Sequence, residues 1–205
     1  MFKRLGVVVL AAMGMAGAVR AEVPTDPAKV APVAVGALAP AFTAKEVDGR
    51  AYHFDPAHRQ QPAMVIFFRG GWCPYCNAHL QDLQGIEPKL RAMGYEVLFL
   101  STDRPEILYS SLNVKVDYHL LSDTGMNAAR AFGIAFRLPD ETEQAMKSRG
   151  TDLEQTQGTA NQELPVPSVF IIDRSGVVRY RHYNPDYKVR LSGAEVLAAA
   201  TNALK

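Results

Sequence analysis

Ala63-Met-Val-Ile-Phe-Phe68 and Tyr95-Glu-Val-Leu-Phe-Leu-Ser101 are apolar runs of strand length with almost no polar position to mark a solvent side. Such a strand is buried on both faces, which requires a sheet covered on each side. Between the runs, Cys76, Leu80, Leu83, Leu90 and Met93 recur at helical spacing, and Pro88 is expected to kink the helix by deleting a backbone donor. Strand, helix, strand is a βαβ unit, and it commits the chain to an α/β architecture.

The alternation continues. Pro105 to Leu112 reads as a second short helix, Asp117 to Ser122 as a third strand and Thr124 to Phe132 as another helix. A polar stretch from Phe136 to Glu163, with Pro139 to Arg149 expected to be helical, interrupts the pattern as an insertion before the last two strands. Those strands, Ser168 to Asp173 and Val177 to Tyr183, are joined by Arg174-Ser-Gly176, a hairpin turn. Ser192-Gly-Ala-Glu195 is a capping-box signature opening a final helix through Val196, Leu197, Ala200 and Leu204. The sum is one domain with a central mixed sheet flanked by helices.

The first 21 residues have a different character. Lys3 and Arg4 precede an uncharged run from Leu5 to Ala18, and Val19-Arg20-Ala21 suits a cleavage site, so residues 1–21 read as a secretory signal. The run is too short for a membrane span, which needs about 20 apolar residues. The expected product is periplasmic, without a membrane span. Pro24 to Pro40 is rich in Pro, Ala and Val without periodicity; residues 22–34 are read as an extended lead-in and residues 35–205 as the domain. With 22 basic and 21 acidic residues there is no broad positive field, and nucleic acid is not an expected partner.

There are only two cysteines, Cys73 and Cys76, and they carry the chemistry. Arg69-Gly-Gly-Trp-Cys-Pro-Tyr-Cys76 leaves the end of a buried strand and enters a helix at Pro74, the preferred first-turn position for proline. Cys73 then caps the helix, where orphan N–H groups and the macrodipole stabilise a thiolate. Cys76 lies one turn further on, within reach of a small disulfide ring.

A structural disulfide is disfavoured, because so short a loop gains little from closure. A zinc or copper carrier using Cys73, Cys76 and His79 is the alternative from a different class. His53, His58, His119 and His182 are scattered without ligand spacing. Haem attachment is excluded, since Asn77 and not histidine follows the second cysteine.

Trp72-Cys-Pro-Tyr-Cys76 after a buried strand resembles the thioredoxin-fold redox motif, with a central pair similar to that of glutaredoxins. Phe67-Phe-Arg-Gly-Gly-Trp-Cys-Pro-Tyr-Cys76, Leu121-Ser-Asp-Thr-Gly125, Phe132-Gly-Ile134, Leu164 to Asp173 and Asn184-Pro-Asp-Tyr-Lys-Val-Arg190 together resemble the peroxiredoxin-like branch of the alkyl hydroperoxide reductase/thiol-specific antioxidant (AhpC/TSA) family. The resemblance runs from about Val35 to the C terminus. It implies a thioredoxin-like fold with an N-terminal extension, and Pro167 in the place of the cis-proline that faces the redox cysteines. Trp72, Pro74, Tyr75, Arg69 and Pro167 are thus the residues expected to shape the site around the catalytic pair.

The departures matter as much. Where peroxiredoxins have Pro, Thr and Cys in the pattern P-x-x-x-T-x-x-C, this chain has Arg69, Cys73 and Cys76, and the place of their distant arginine resembles Pro167. The acid that thioredoxins carry six positions before the first cysteine is here Phe67, so no proton acceptor is identified. Arg69 is expected to lower the thiol pKa by charge. The reading is a periplasmic thiol–disulfide oxidoreductase needing no metal or organic cofactor: Cys73 attacks, Cys76 resolves, and the partners are a protein or small thiol/disulfide and a thiol electron donor. The enzymatic alternative is a peroxiredoxin-like thiol peroxidase acting on a hydroperoxide.

Overall fold

A computed structural model describes residues 22–112 and 118–204. The signal segment proposed at 1–21 lies outside the described residues. Strands β1 (Phe42–Glu46), β2 (Ala51–Phe54), β3 (Ala63–Phe67), β4 (Glu96–Ser101), β5 (His119–Ser122), β8 (Ser168–Ile172) and β9 (Val178–Tyr183) form a seven-stranded sheet among the described residues, in the order β2-β1-β5-β4-β3-β8-β9. β3, β4 and β5 run parallel, and β8, β9, β1 and β2 join by antiparallel pairing, so the sheet is mixed.

β3 sits inside the sheet, and its alternating side chains feed two cores. Ala63, Val65 and Phe67 join a cluster with Phe42, Phe54, Phe132 and Phe170, while Met64, Ile66 and Phe68 join one with Leu80, Leu83, Phe99 and both cysteines. That is why the run shows no polar alternation. Each large side chain buried here contributes roughly 1.5–3 kcal/mol.

The helical pattern after the cysteines resolves into α1 (Pro74–Gln84) and α2 (Glu87–Ala92), not one helix kinked at Pro88. The break falls at Gly85-Ile86, and Pro88 lies in the first turn of α2, where its missing N–H has no helical partner to lose. α3 (Pro105–Leu108) is shorter than expected, β5 begins at His119, and Asp117 lies outside the described residues. α4 (Asn127–Ala131) starts late because Met126 takes a left-handed conformation, with the Asp123 carboxylate accepting from the amides of Ala128 and Ala129.

The insertion is more ordered than its composition suggested. β6 (Ala135–Arg137) and β7 (Glu163–Pro165) pair as a two-stranded ribbon, bracketing α5 (Asp140–Ser148) and α6 (Leu153–Gln157). The lead-in is likewise bonded to the domain: Arg137 N donates to Pro24 O at 2.8 Å, and the Arg181 guanidinium donates to the carbonyls of Pro32 and Val33. The β1–β2 hairpin had no counterpart in the sequence reading; Gly49 turns it in a left-handed conformation, and Phe42 stacks on Phe54 at 4.8 Å. The β8–β9 hairpin and the Ser192/Glu195 capping box, which opens α7 (Gly193–Ala203), form as the sequence predicts. No helix among the described residues is long and apolar enough to cross a membrane.

Candidate functional site

The redox loop, Arg69 to Trp72, leaves the C-terminal end of β3 and is held from below by the segment after β4. Thr102 Oγ1 donates to the Arg69 carbonyl at 3.1 Å, and the buried Asp103 carboxylate accepts from Gly71 N at 2.7 Å and Ser111 Oγ at 3.3 Å. Asn77, on α1, donates to the Gly71 carbonyl at 2.6 Å and closes the loop from the other side. These close approaches account for the paired glycines: a β-carbon at Gly70 would lie 2.2 Å from the Trp72 indole nitrogen, and one at Gly71 2.1 Å from Ser111 Oγ.

The loop delivers Cys73 to the N-cap of α1, with Pro74 in the first turn. The Cys73 carbonyl accepts the amides of Cys76 and Asn77 at 3.0 and 3.1 Å, and its side chain makes no capping hydrogen bond to the helix. Both cysteines are buried, so exposure does not separate them. What separates them is electrostatic. The Cys76 thiol donates to Cys73, and together with the Cys76 amide and the charges of Arg69 and Arg190 this brings the Cys73 pKa down to about 6 against the cost of burial. Donating to Cys73 and being buried push Cys76 the other way, well above the ordinary thiol range.

Arg69 is buried, its guanidinium 4.9 Å from the Trp72 ring and 4.2 Å from the Tyr187 ring, and Tyr75 meets Tyr187 edge-on at 5.6 Å. Pro167 is buried beside them. Arg69, Pro167 and Tyr187, with Phe136, Leu138 and Val166, line a mostly apolar pocket of about 410 Å³. The expected cis bond at Pro167 is not found: every peptide bond among the described residues is trans. Here β7 runs through Val166 and Pro167 almost directly into β8, with Val166 N bonded to the Ile134 carbonyl and its own carbonyl accepting from Ser168 Oγ. An extended chain meets that pairing without a turn.

Phe67 packs against Phe132 and Phe170 with ring centroids 5.3 and 6.1 Å apart, in the core opposite the cysteines, so this strand supplies no acid near them. Arg190 was missed by residue-level reading although it closes the Asn184 to Arg190 segment of the family resemblance. Its Nη2 lies 3.6 Å from Cys76 Sγ. Tyr187, in the same segment, was not singled out either, and nothing local marks Asp103; the fold brings both to the loop. His79 is buried one turn beyond Cys76. Among the described residues no three His, Cys, Asp or Glu side chains converge in a way that could hold a metal ion, which leaves Cys73, Cys76 and His79 short of a carrier site.

Residues 35–181 match the AhpC/TSA family. The chain belongs to the AhpC/TSA family. It is 24% identical over 148 residues to the thiol-disulfide oxidoreductase ResA of Geobacillus thermodenitrificans, the match covering 72% of this chain and 68% of that protein. It is 26% identical over 156 residues to the chloroplastic peroxiredoxin Q of Suaeda salsa, covering 76% of this chain and 62% of that one. The fold is that of the peroxidoxin BcpB of Mycobacterium tuberculosis, with a TM-score of 0.61 at 17% identity over 83% of this chain and 96% of the other. This AhpC/TSA protein thus has a thioredoxin-like, peroxiredoxin-type fold, and the named relatives are thiol enzymes.

Proposed function

We propose that the protein is an exported thiol–disulfide oxidoreductase in which Cys73 is the nucleophile and Cys76 the resolving thiol. The observation that supports this reading is the place of the pair: Cys73 caps α1, where the neighbouring Cys76 thiol, the helix end and Arg69 favour its thiolate, while Cys76, within the first turn and fully buried, is favoured as the thiol. The thiolate attacks a substrate disulfide, forming a Cys73–substrate bond and expelling one substrate sulfur. Cys76, once deprotonated, attacks Cys73 Sγ, expels the second, and leaves the Cys73–Cys76 disulfide; two electrons pass to the substrate. A thiol donor returns the pair to the reduced state. The apolar pocket lined by Pro167 and by Arg69, at the start of the redox loop, supports binding of a substrate chain.

One observation favours the second reading, a thiol peroxidase: the Arg190 guanidinium lies against Cys76, the cysteine that occupies the peroxiredoxin register. The test uses both single variants. Cys76→Ser should trap a mixed disulfide on Cys73, and Cys73→Ser should lose disulfide turnover almost completely. If Cys73→Ser instead consumes peroxide rapidly and accumulates sulfenic acid on Cys76, the peroxidase reading replaces the first. Export is supported by the Lys3-Arg4 and Leu5 to Ala18 pattern; protein released from the cell envelope should begin at Glu22.

A further inference from the structure

Arg69 is 8% exposed, the one buried arginine among the described residues. A guanidinium taken out of water needs an anion, and this chain supplies one elsewhere: Arg59 pairs with Glu96 and Arg130 with Glu163. Arg69 has no such partner. No ion pair among the described residues includes it, and its Nε is buried without a hydrogen-bond partner. The Trp72 and Tyr187 rings, 4.9 and 4.2 Å away, offset part of its lost hydration without accepting hydrogen bonds from its N–H groups.

The same guanidinium lines the pocket of about 410 Å³, whose other walls are mostly apolar, among them Phe136, Leu138, Val166 and Pro167. Asp26 is the one carboxylate on the lining; it is exposed and accepts the Ala28 amide at 2.9 Å. An apolar pocket of this size with one unpaired cation fits a small ligand whose apolar stem ends in an anion. A carboxylate matches the planar fork of a guanidinium.

The backbone points the same way. Val166 N is already bonded to the Ile134 carbonyl at 2.8 Å, and Pro167 has no N–H, so two successive positions offer no main-chain donor to an extended peptide. Recognition falls to side chains, and the charged one is Arg69. Trp72, whose ring lies 4.9 Å from the guanidinium, is next in the chain to Cys73, which sets anchor and nucleophile on one short loop.

We propose that the pocket selects small disulfides that carry a carboxylate, which pairs with the Arg69 guanidinium. The proposal rests on the oxidoreductase reading above and names its substrate class. The Cys73 thiolate attacks the sulfur of the carboxylate-bearing half; the S–S bond breaks, and the other half leaves as a thiolate with the electron pair. Bond formation consumes the negative charge on Cys73, and the bound carboxylate supplies Arg69 with an anion in its place. Cys76 then loses its proton to solvent, attacks Cys73 Sγ and releases the bound half as the second thiolate. The cysteine pair is oxidised by two electrons and the substrate reduced by two.

The test compares two chromogenic probes that differ only in the carboxylate, 6,6′-dithiodinicotinic acid and the neutral 2,2′-dipyridyl disulfide. Each is mixed at pH 7 with the reduced, full-length protein, and the rate constant for release of the first thione is divided by that of 2-mercaptoethanol with the same probe, which removes intrinsic reactivity. With a formal net charge of +1 the chain as a whole offers a dianion little attraction. The intact protein should nevertheless prefer the dicarboxylate by about tenfold or more, the worth of a hydrogen bond to a charged group. That preference should survive about 0.5 M sodium chloride, because a sheltered pair is screened far less than exposed charges. Arg69→Met keeps an apolar stem between the rings and should bring the preference to within about twofold of unity. Both probes should slow together in that variant, since Arg69 also favours the Cys73 thiolate, and the ratio is insensitive to this. Lys188→Met, which removes an exposed cation 6.0 Å from the Tyr187 ring, should leave the preference intact. A preference that is absent from the intact protein, abolished by salt, retained in Arg69→Met or equally lost in Lys188→Met overturns the proposal. Thione release from neither probe would instead overturn the oxidoreductase reading itself.

Discussion

If the Cys76 hydrogen bond is the main source of the low Cys73 pKa, replacing Cys76 by alanine and by serine should give different results. Cys76→Ala removes the donor; Cys76→Ser keeps a hydroxyl that donates to the same sulfur. A hydrogen bond to a charged group is worth about 1.5–3 kcal/mol, which corresponds to roughly one to two pH units. The Cys73 midpoint, about 6 in the intact pair, should therefore rise to about 7–8 in Cys76→Ala and remain close to its starting value in Cys76→Ser. Arg69, Arg190 and the helix end keep it from reaching the free-thiol range. The choice of assay follows from the same magnitudes. At pH 7 the thiolate fraction would fall from about nine-tenths to between about one-tenth and one-half, but intrinsic nucleophilicity would rise about three- to eightfold as the pKa rises. The two changes nearly cancel in an alkylation rate at one pH. Thiolate absorbance near the ultraviolet edge, followed across a pH titration, reads the midpoint alone. A Cys76→Ala midpoint equal to that of the intact protein, or a Cys76→Ser midpoint displaced as far as that of Cys76→Ala, would refute the assignment of the hydrogen bond as the dominant cause.

Gly71→Ala should destabilise the protein by about 2 kcal/mol or more and slow Cys73 alkylation, because the new methyl meets Ser111 at both its side chain and its carbonyl and pushes the loop off Asp103; denaturant unfolding and alkylation kinetics check the two effects. Arg130→Met should cost about 3 kcal/mol by stranding the buried Glu163 carboxylate, which Arg130 meets with two hydrogen bonds of 2.8 Å. Replacing both residues by methionine should recover much of that loss, and a double-mutant cycle showing simple additivity would contradict it. His79→Asn should also change the acid limb of stability. Because the folded pKa of His79, about 4, lies below its ordinary value of 6.5, its neutral form contributes stability above 6.5 that is lost as pH falls towards 4, at most about 3 kcal/mol in total. The difference between variant and intact protein should carry that slope, since Asp123, raised to about 6 by burial and acting in the opposite sense, is common to both.

Much of this architecture is written in local pattern. The apolar runs at β3 and β4, the proline opening α1, the hairpin glycine at 176 and the capping box at 192 are each decided within a few residues, and the fold keeps them. The β1–β2 hairpin escaped because its alternation is short and half polar, and it is held by Phe42, stacked on Phe54, meeting Phe132 just past the end of the distant α4. The split between α1 and α2 escaped because proline was read as a breaker where it serves as a starter. At the site, Arg69, Trp72, Cys73, Tyr75 and Cys76 are legible because they stand together in one motif, and Pro167, whose bond is trans, was named only through the resemblance, whereas Arg190, Asp103 and Tyr187 come from elements far away in the chain. No spacing rule links Cys76 to an arginine 114 positions on; only the packing of the segment before α7 against α1 does.

Trp72 is the single tryptophan in the chain. It is covalently next to Cys73, under the Arg69 guanidinium, and its indole faces the Asp103 carboxylate. The molecule therefore carries its own optical gauge: indole emission responds to neighbouring sulfur and charge, so thiol, mixed disulfide and closed ring should each have a distinct intensity with no label attached. Every exchange event at the cysteines can be followed in real time, in the unmodified protein, from that one fluorophore.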